Sequence, residues 1–268
     1  MAVGTALAGA EVALDWRIGL TCALAALLLQ VGANLANDAL DFAAGVDGPG
    51  RLGPPRATQS GWLSYRQVLG GAAAAFAAAT LCGIQLAAAG GWPIVAVGCV
   101  CMLAALAYSG GPFPLSSHGL GELTAFAFFG PVAVAGSAYL HTGTFQPAYA
   151  LAACPIGFWA ACIMLVNNLR DAGNDARAGK RTLVVRLGEP AARRLFALLL
   201  GAAYVWPLAL VPSGHARGLL VWLSVPWAWK LWRGLRTAES GADHNRALAG
   251  TARLLIPFAA LYALGIAW

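Results

Sequence analysis

Residues 21–41 read TCALAALLLQVGANLANDALD. The run up to Ala33 is almost wholly apolar, and then Asn34, Asn37, Asp38 and Asp41 follow within about two helical turns. A bilayer-spanning helix needs about 20 apolar residues, so the stretch reads as a membrane helix that ends in amides and carboxylates. A second apolar run, ALAACPIGFWAACIMLV at 150–166, ends the same way in NNLRDAGND, residues 167–175. The fold class and the site both turn on why one chain would do this twice.

The remainder of the chain supports the membrane reading. Of 268 residues, 59% are hydrophobic and only 10% charged, and the mean hydropathy is +0.68. A soluble domain carries about 25% charged residues, so this chain lacks the charge to cover a water-facing surface. The apolar runs are long, unbroken and rich in Ala and Leu, without strand alternation, which predicts helices rather than a lipid-embedded barrel. Eight spans are expected, near 16–37, 66–89, 92–109, 120–140, 147–169, 193–211, 217–234 and 250–268, all in a single domain over 1–268. Ahead of them MAVGTALAGA reads as about half a span. The six cysteines lie inside apolar runs with no metal or disulfide spacing, and the four histidines are scattered.

The basic residues set the orientation. Fifteen of the 17 Lys and Arg fall on one set of loops and flanks, leaving only Arg17 and Arg217 on the other. The positive-inside rule places the rich face in the cytoplasm, predicting a multi-pass protein of the cell inner (cytoplasmic) membrane with its site facing the cytoplasm. Nine of the eleven acids share that face. A net charge of +6 therefore speaks for a mixed-charge site at the membrane surface and against nucleic acid as a partner.

On a helix, Asn34, Asp38 and Asp41 share a face, as do Asn167, Asp171 and Asp175. Carboxylates at a helix C-terminus sit at the unfavourable end of its dipole, and at membrane depth each costs several kcal/mol. Four around one cavity repel each other unless multivalent cations intervene. Oxygen ligands favour Mg²⁺, which takes one or two carboxylates together with waters and substrate phosphates. A diphosphate brought to such ions would meet Arg51, Arg56, Lys180 and Arg181 from the loops behind the two clusters. The Gly/Pro-rich loop DFAAGVDGPGRLGPPRATQSGWLS is long and irregular, and beside a charged cavity it reads as a gripping loop or lid.

These residues resemble the UbiA superfamily of membrane prenyltransferases, whose two Asp-rich motifs correspond here to Asn37–Asp41 and Asp171–Asp175. Within it the chain is most similar to the 1,4-dihydroxy-2-naphthoate polyprenyltransferases of menaquinone synthesis. QVGANLANDALDF, GPGRLGPPRATQSG, YSGGPFPL, GLGELTAFAFFGP and NNLRDAGNDARAGKRTLVVRLG occur in that order from about residue 30 to 190. Many members carry a further Asp four residues after the first motif, where this chain has Gly45, with Asp47 two residues on. The front end also departs from the family, since its first helix starts here near the middle; with it, eight spans become the family's nine.

The resemblance implies an all-α UbiA-type helix bundle in the lipid bilayer. It implies transfer of a polyprenyl group from its diphosphate to dihydroxynaphthoate, with loss of CO₂. Asp38, Asp41, Asp171 and Asp175 would hold Mg²⁺. Asn34, Arg56, Lys180 and Arg181 would meet the diphosphate, with Lys180 also catalytic. Asn37, Asp47, Tyr108, Asn167, Asn168 and Arg170 would orient the substrates. The alternatives are another aromatic acceptor (4-hydroxybenzoate or homogentisate), phytyl transfer as in phylloquinone synthesis, and, more distantly, an ion-coupled transporter, which would place its carboxylates near the bilayer midplane. Prenyl length and oligomeric state are not legible in the sequence.

Overall fold

The structure, a computed structural model, describes residues 1–46 and 52–267, and every regular element among them is helical. Asp47 and Arg51 lie outside the described residues. In chain order the helices are α1 (Ala2–Gly9), α2 (Trp16–Ala43), α3 (Tyr65–Gly90), α4 (Trp92–Ala107), α5 (Gly121–Ala127), α6 (Ala133–Thr142), α7 (Pro147–Arg177), α8 (Leu183–Leu187), α9 (Glu189–Val205), α10 (Val225–Arg236) and α11 (Gly241–Ile266).

Among the described residues six helical stretches are long and apolar enough to cross a membrane: α2, α3, Gly121–Thr142, α7, Glu189–Ser213 and α11. Of the other two expected spans, 92–109 is the shorter apolar α4. The region 217–234 is a 3-10 turn, Ala216–Ser224, running into α10. Pro226 at the start of α10 lacks an N–H to continue the first segment's ladder, so the two pieces meet at a joint. The outward-facing side chains are those that lipid accepts: Leu20, Leu27, Leu81, Ile84 and Leu103 are all more than half exposed.

α7 is the central post. Its Trp159, Cys162, Leu165 and Val166 have no exposed surface, and it packs against α5, α6, α9 and α11. Trp159 meets Phe258 of α11 and Tyr204 of α9 at ring-centroid distances of 5.5 and 6.3 Å. α2, paired along its length with α3, stands away from this core. The stretch Gly121–Thr142 is continuous but widened by a π turn at Phe128–Val132, the consequence of Pro131 inside it. Gly130 of that turn lies against Gly157 of α7. A Cβ on Gly157 would come within 2.7 Å of the Phe126 ring and 2.8 Å of the Phe126 carbonyl oxygen. Small residues at a membrane crossing let two backbones approach closely.

Gly157→Ala is therefore expected to destabilise the protein by about 1–3 kcal/mol through overpacking. Gly70→Ala, at a helical site with nothing within 4 Å of the added carbon, should be neutral or slightly stabilising. Unfolding midpoints of the two variants in the same detergent check the difference.

Candidate active site

Both motif helices end by the same device. After α2, Gly45 has φ +70°, its N–H donates to the Phe42 carbonyl, and the Val46 N–H donates to the Asp41 carbonyl at 2.9 Å. After α7, Gly179 has φ +75°, its N–H donates to the Ala176 carbonyl, and the Lys180 N–H donates to the Asp175 carbonyl at 2.8 Å. This is the Schellman termination, whose glycine takes the left-handed backbone that other residues resist. Gly45, a departure from the family's pattern, is thus the residue that stops α2.

Counted from these ends, the two helices correspond with Asn34, Asn37, Asp41 and Gly45 on one and Asn168, Asp171, Asp175 and Gly179 on the other. The shared polar face is therefore spaced three and four residues apart in both. Of the expected face Asn34, Asp38 and Asp41, the cavity wall holds Asn34 and Asp41, joined by Asn37.

Asp38 points elsewhere. Its buried carboxylate accepts the backbone N–H groups of Ala57 and Thr58, at 2.9 and 3.4 Å. It thereby caps the turn that begins the far end of the Gly/Pro loop, and it is absent from the wall of the large cavity described next. Asp38, expected at the metal, here anchors the loop.

That cavity, about 1330 Å³, lies between the α2–α4 group and the α7 core. Its charged end is walled by Asn34, Asn37, Asp41, Arg56, Tyr108, Asn167, Asn168, Arg170, Asp171, Asp175 and Lys180. Its other walls are mostly apolar, reaching Leu86, Phe129 and Leu140, with Gln30, Thr80 and Ser137 among them. Lys180 and Asp41 form an ion pair of 3.2 Å across the two halves, with side chains only 12% and 10% exposed. Asn37 Nδ2 donates to Asp41 Oδ2 at 2.9 Å and to Ser109 Oγ, and its Oδ1 accepts from Arg56. On α7, buried Arg170 grips both oxygens of Asp171, at 2.8 and 2.6 Å, and also donates to Asn167 Oδ1 at 2.8 Å. Arg181 is exposed and is not on the wall; its N–H donates to the Ser117 carbonyl and its own carbonyl accepts from Arg186.

Residues that the motif reading passed over complete the site. Asn245 of α11 accepts from Arg170 at 3.1 Å and donates to the Leu52 carbonyl at 3.0 Å, tying the second motif to the loop that follows the first. Gly241, one turn earlier, makes room for the Leu52 side chain, which would stand 3.2 Å from a Cβ there. Ser109 and Glu122 were likewise passed over. The signal for Asn245 was a lone amide in a helix start, GADHNRAL, too common to single out.

Asp41, Asp171 and Asp175 with the nearby amides supply hard oxygen donors. Among the described residues no three His, Cys, Asp or Glu gather into a metal cage. The set fits a cation that takes one or two carboxylates and fills its remaining positions with water and phosphate, as Mg²⁺ does.

The family model for UbiA prenyltransferases matches residues 1–263. The chain belongs to the UbiA prenyltransferase family. As a UbiA-family enzyme it is a prenyltransferase of multi-pass membrane architecture, with a prenyl donor and an aromatic acceptor as its substrate classes. It is 37% identical over 235 residues to the 1,4-dihydroxy-2-naphthoate octaprenyltransferase of Escherichia coli (strain K12), covering 82% of this chain and 73% of that one. It is 38% identical over 208 residues to the enzyme of the same name from Mycobacterium tuberculosis, covering 78% and 71%. To the 2-carboxy-1,4-naphthoquinone phytyltransferase of Synechocystis it is 29% identical over 144 residues, covering 53% and 47%.

Two outcomes are expected of this geometry. Lys180→Met leaves Asp41 without its cation and should cost roughly 3 kcal/mol, the low end for breaking a buried pair, while Lys180→Arg should retain most of it; denaturant unfolding in detergent measures both. Asn245→Ala frees the Leu52 carbonyl, so the bond after Arg56 should be cut faster by trypsin with the rest of the digestion pattern unchanged.

Proposed function

We propose that the protein transfers a polyprenyl group from its diphosphate to 1,4-dihydroxy-2-naphthoate, with release of diphosphate and CO₂, in menaquinone synthesis. The observation that carries this reading is the two-natured cavity: ion-pairing side chains at one end and a mostly apolar reach at the other. A prenyl chain is as apolar as lipid and suits the reach between α2, α3, α4 and α6. The diphosphate and the acid are charged and suit the end where α2 and α7 terminate. The acceptor is chosen from the names of the relatives that share about a third of this chain's residues.

In the reaction, the prenyl C–O bond breaks with its electron pair going to the diphosphate. The ring carbon bearing the carboxylate attacks the resulting allylic cation, and a C–C bond forms. Loss of the carboxylate as CO₂ returns its bonding pair to the ring and restores aromaticity. Lys180 and Arg56 line the cavity where negative charge develops on the leaving group, so their charges favour the transition state over the bound substrate. Asp41, Asp171 and Asp175 are the residues that would hold Mg²⁺, which when bound neutralises diphosphate charge and assists its departure. Asn34, Asn37 and Asn167 orient the charged groups of donor and acceptor. Arg170 holds Asp171 and Asn167 in place. Walls of packed helix keep water from the cation. With 15 of the 17 basic residues on the site's side, the positive-inside rule puts this end in the cytoplasm of an inner-membrane protein.

Purified protein given 1,4-dihydroxy-2-naphthoate, a polyprenyl diphosphate and Mg²⁺ should release diphosphate and CO₂ in equal amounts, and chelation should stop it. Asp171→Ala should lower kcat about 100-fold or more. Turnover with 4-hydroxybenzoate but not with the naphthoate would sink the assignment.

A further inference from the structure

One buried carboxyl takes no part in the chemistry above. Glu122, in the first turn of α5, is 4% exposed. Asn168 Nδ2 donates to its Oε1 at 2.9 Å, and its Oε2 has no hydrogen-bond partner among the described residues. No basic side chain among the described residues pairs with it. A carboxyl kept within an apolar helix for one amide contact is an expensive way to build a wall that leucine would fill.

Its partner explains it. Asn168 lines the cavity and Glu122 does not. With the amide nitrogen committed to Glu122, the oxygen Oδ1 is what Asn168 offers to the cavity, and no group among the described residues meets it. With Glu122 ionised, the reverse amide orientation would set two oxygens against each other, so the carboxylate dictates which end faces inward. Uncharged polar groups stand beside it. Tyr108 Oη donates to Met164 Sδ at 3.1 Å, a weak acceptor. A Cβ on Gly121 would lie 3.2 Å from Tyr108 Oη and 3.7 Å from Asn168 Nδ2, so the glycine lets phenol and amide sit side by side. Ser116, 5% exposed and on the same cavity wall, has an Oγ without a partner among the described residues. Among the described residues no basic side chain hydrogen-bonds to Glu122, Asn168, Tyr108 or Ser116, so this group suits a neutral hydroxyl on an aromatic ring better than a diphosphate.

We infer that Glu122 is a positioning residue: it turns the Asn168 amide so that its carbonyl oxygen accepts a hydrogen bond from a ring hydroxyl of the aromatic acceptor. The inference rests on reading the protein as a transferase to a hydroxylated aromatic acid. The bond is made to the bound acceptor, so its loss reads in the acceptor KM.

Steady-state kinetics with both substrates varied test this. Glu122→Leu should raise the KM for 1,4-dihydroxy-2-naphthoate about tenfold, the loss of one hydrogen bond, and leave the KM for the prenyl diphosphate unchanged. Glu122→Gln, whose carbonyl can still accept from Asn168, should recover acceptor KM to within about threefold of wild type. Asn168→Ala should show the same split, and the double variant Glu122→Leu/Asn168→Ala should be no worse than Asn168→Ala alone. An unchanged acceptor KM, equal rises in both KM values, or additive losses in the double variant overturn the inference. If Glu122→Leu does not accumulate in membranes, Asn168→Ala carries the split, and an unchanged acceptor KM there overturns it equally. Wild-type turnover separates the two readings: its absence overturns the proposed function and this inference together, and its presence with a silent Glu122→Leu overturns this inference alone.

Discussion

Asp41 and Lys180, 3.2 Å apart and nearly out of solvent, are where the two halves of the site meet. Each comes from a helix end that a left-handed glycine has turned back on itself. Neither charge could stay at this depth alone, because an unpaired buried ion costs several kcal/mol. The pair therefore draws the ends of α2 and α7 together, and the cavity between them inherits its shape from that closure. Asn37, Arg56, Arg170 and Asn245 extend the same requirement, each meeting a group that would otherwise be left polar and unmet.

The result is a site whose carboxylates are already paired within the protein. Asp41 has Lys180 and Asp171 has Arg170. A diphosphate with its cation would trade these internal pairings for external ones, the cation taking the carboxylates and the phosphate oxygens taking Lys180. No buried charge is then left unpaired as substrate enters, which suits a site bounded by lipid-facing helices where an unpaired charge is expensive. The loop after α2 borders this end, pinned by Asp38 on one side and by Asn245 on the other.

Much of the fold was legible because membrane helices announce themselves by composition. TCALAALLLQVGA and ALAACPIGFWAACIMLV are too apolar and too long to be anything else, and the basic residues sort the loops. The joint at 216–236 was less legible, since RGLLVWLSVPWAWKLWR is apolar enough for a span and its break depends on how Pro226 meets its neighbours. In the site, the two motifs were plain as clusters, but their faces were not. Asp38 and Asp41 look equivalent in NDALD, yet one anchors a loop and the other faces the cavity. That choice depends on how α2 is turned toward the Ala57–Thr58 turn on one side and Lys180 on the other.

The sequence by itself determined the class: helices in a bilayer, a charged face at one end, and two carboxylate-rich helix ends on that face. Those follow from residue chemistry against lipid, which needs no partner to act. Tertiary structure alone decided which side chains share the cavity. It assigned Asp38 to the Ala57–Thr58 turn, left Arg181 off the wall, brought Asn245 from the far end of the chain, and set Glu122 behind Asn168. Such assignments depend on how helices distant in sequence rotate and cross, and single residues such as Gly130, Gly157 and Gly241 control those crossings by leaving space that no local pattern records.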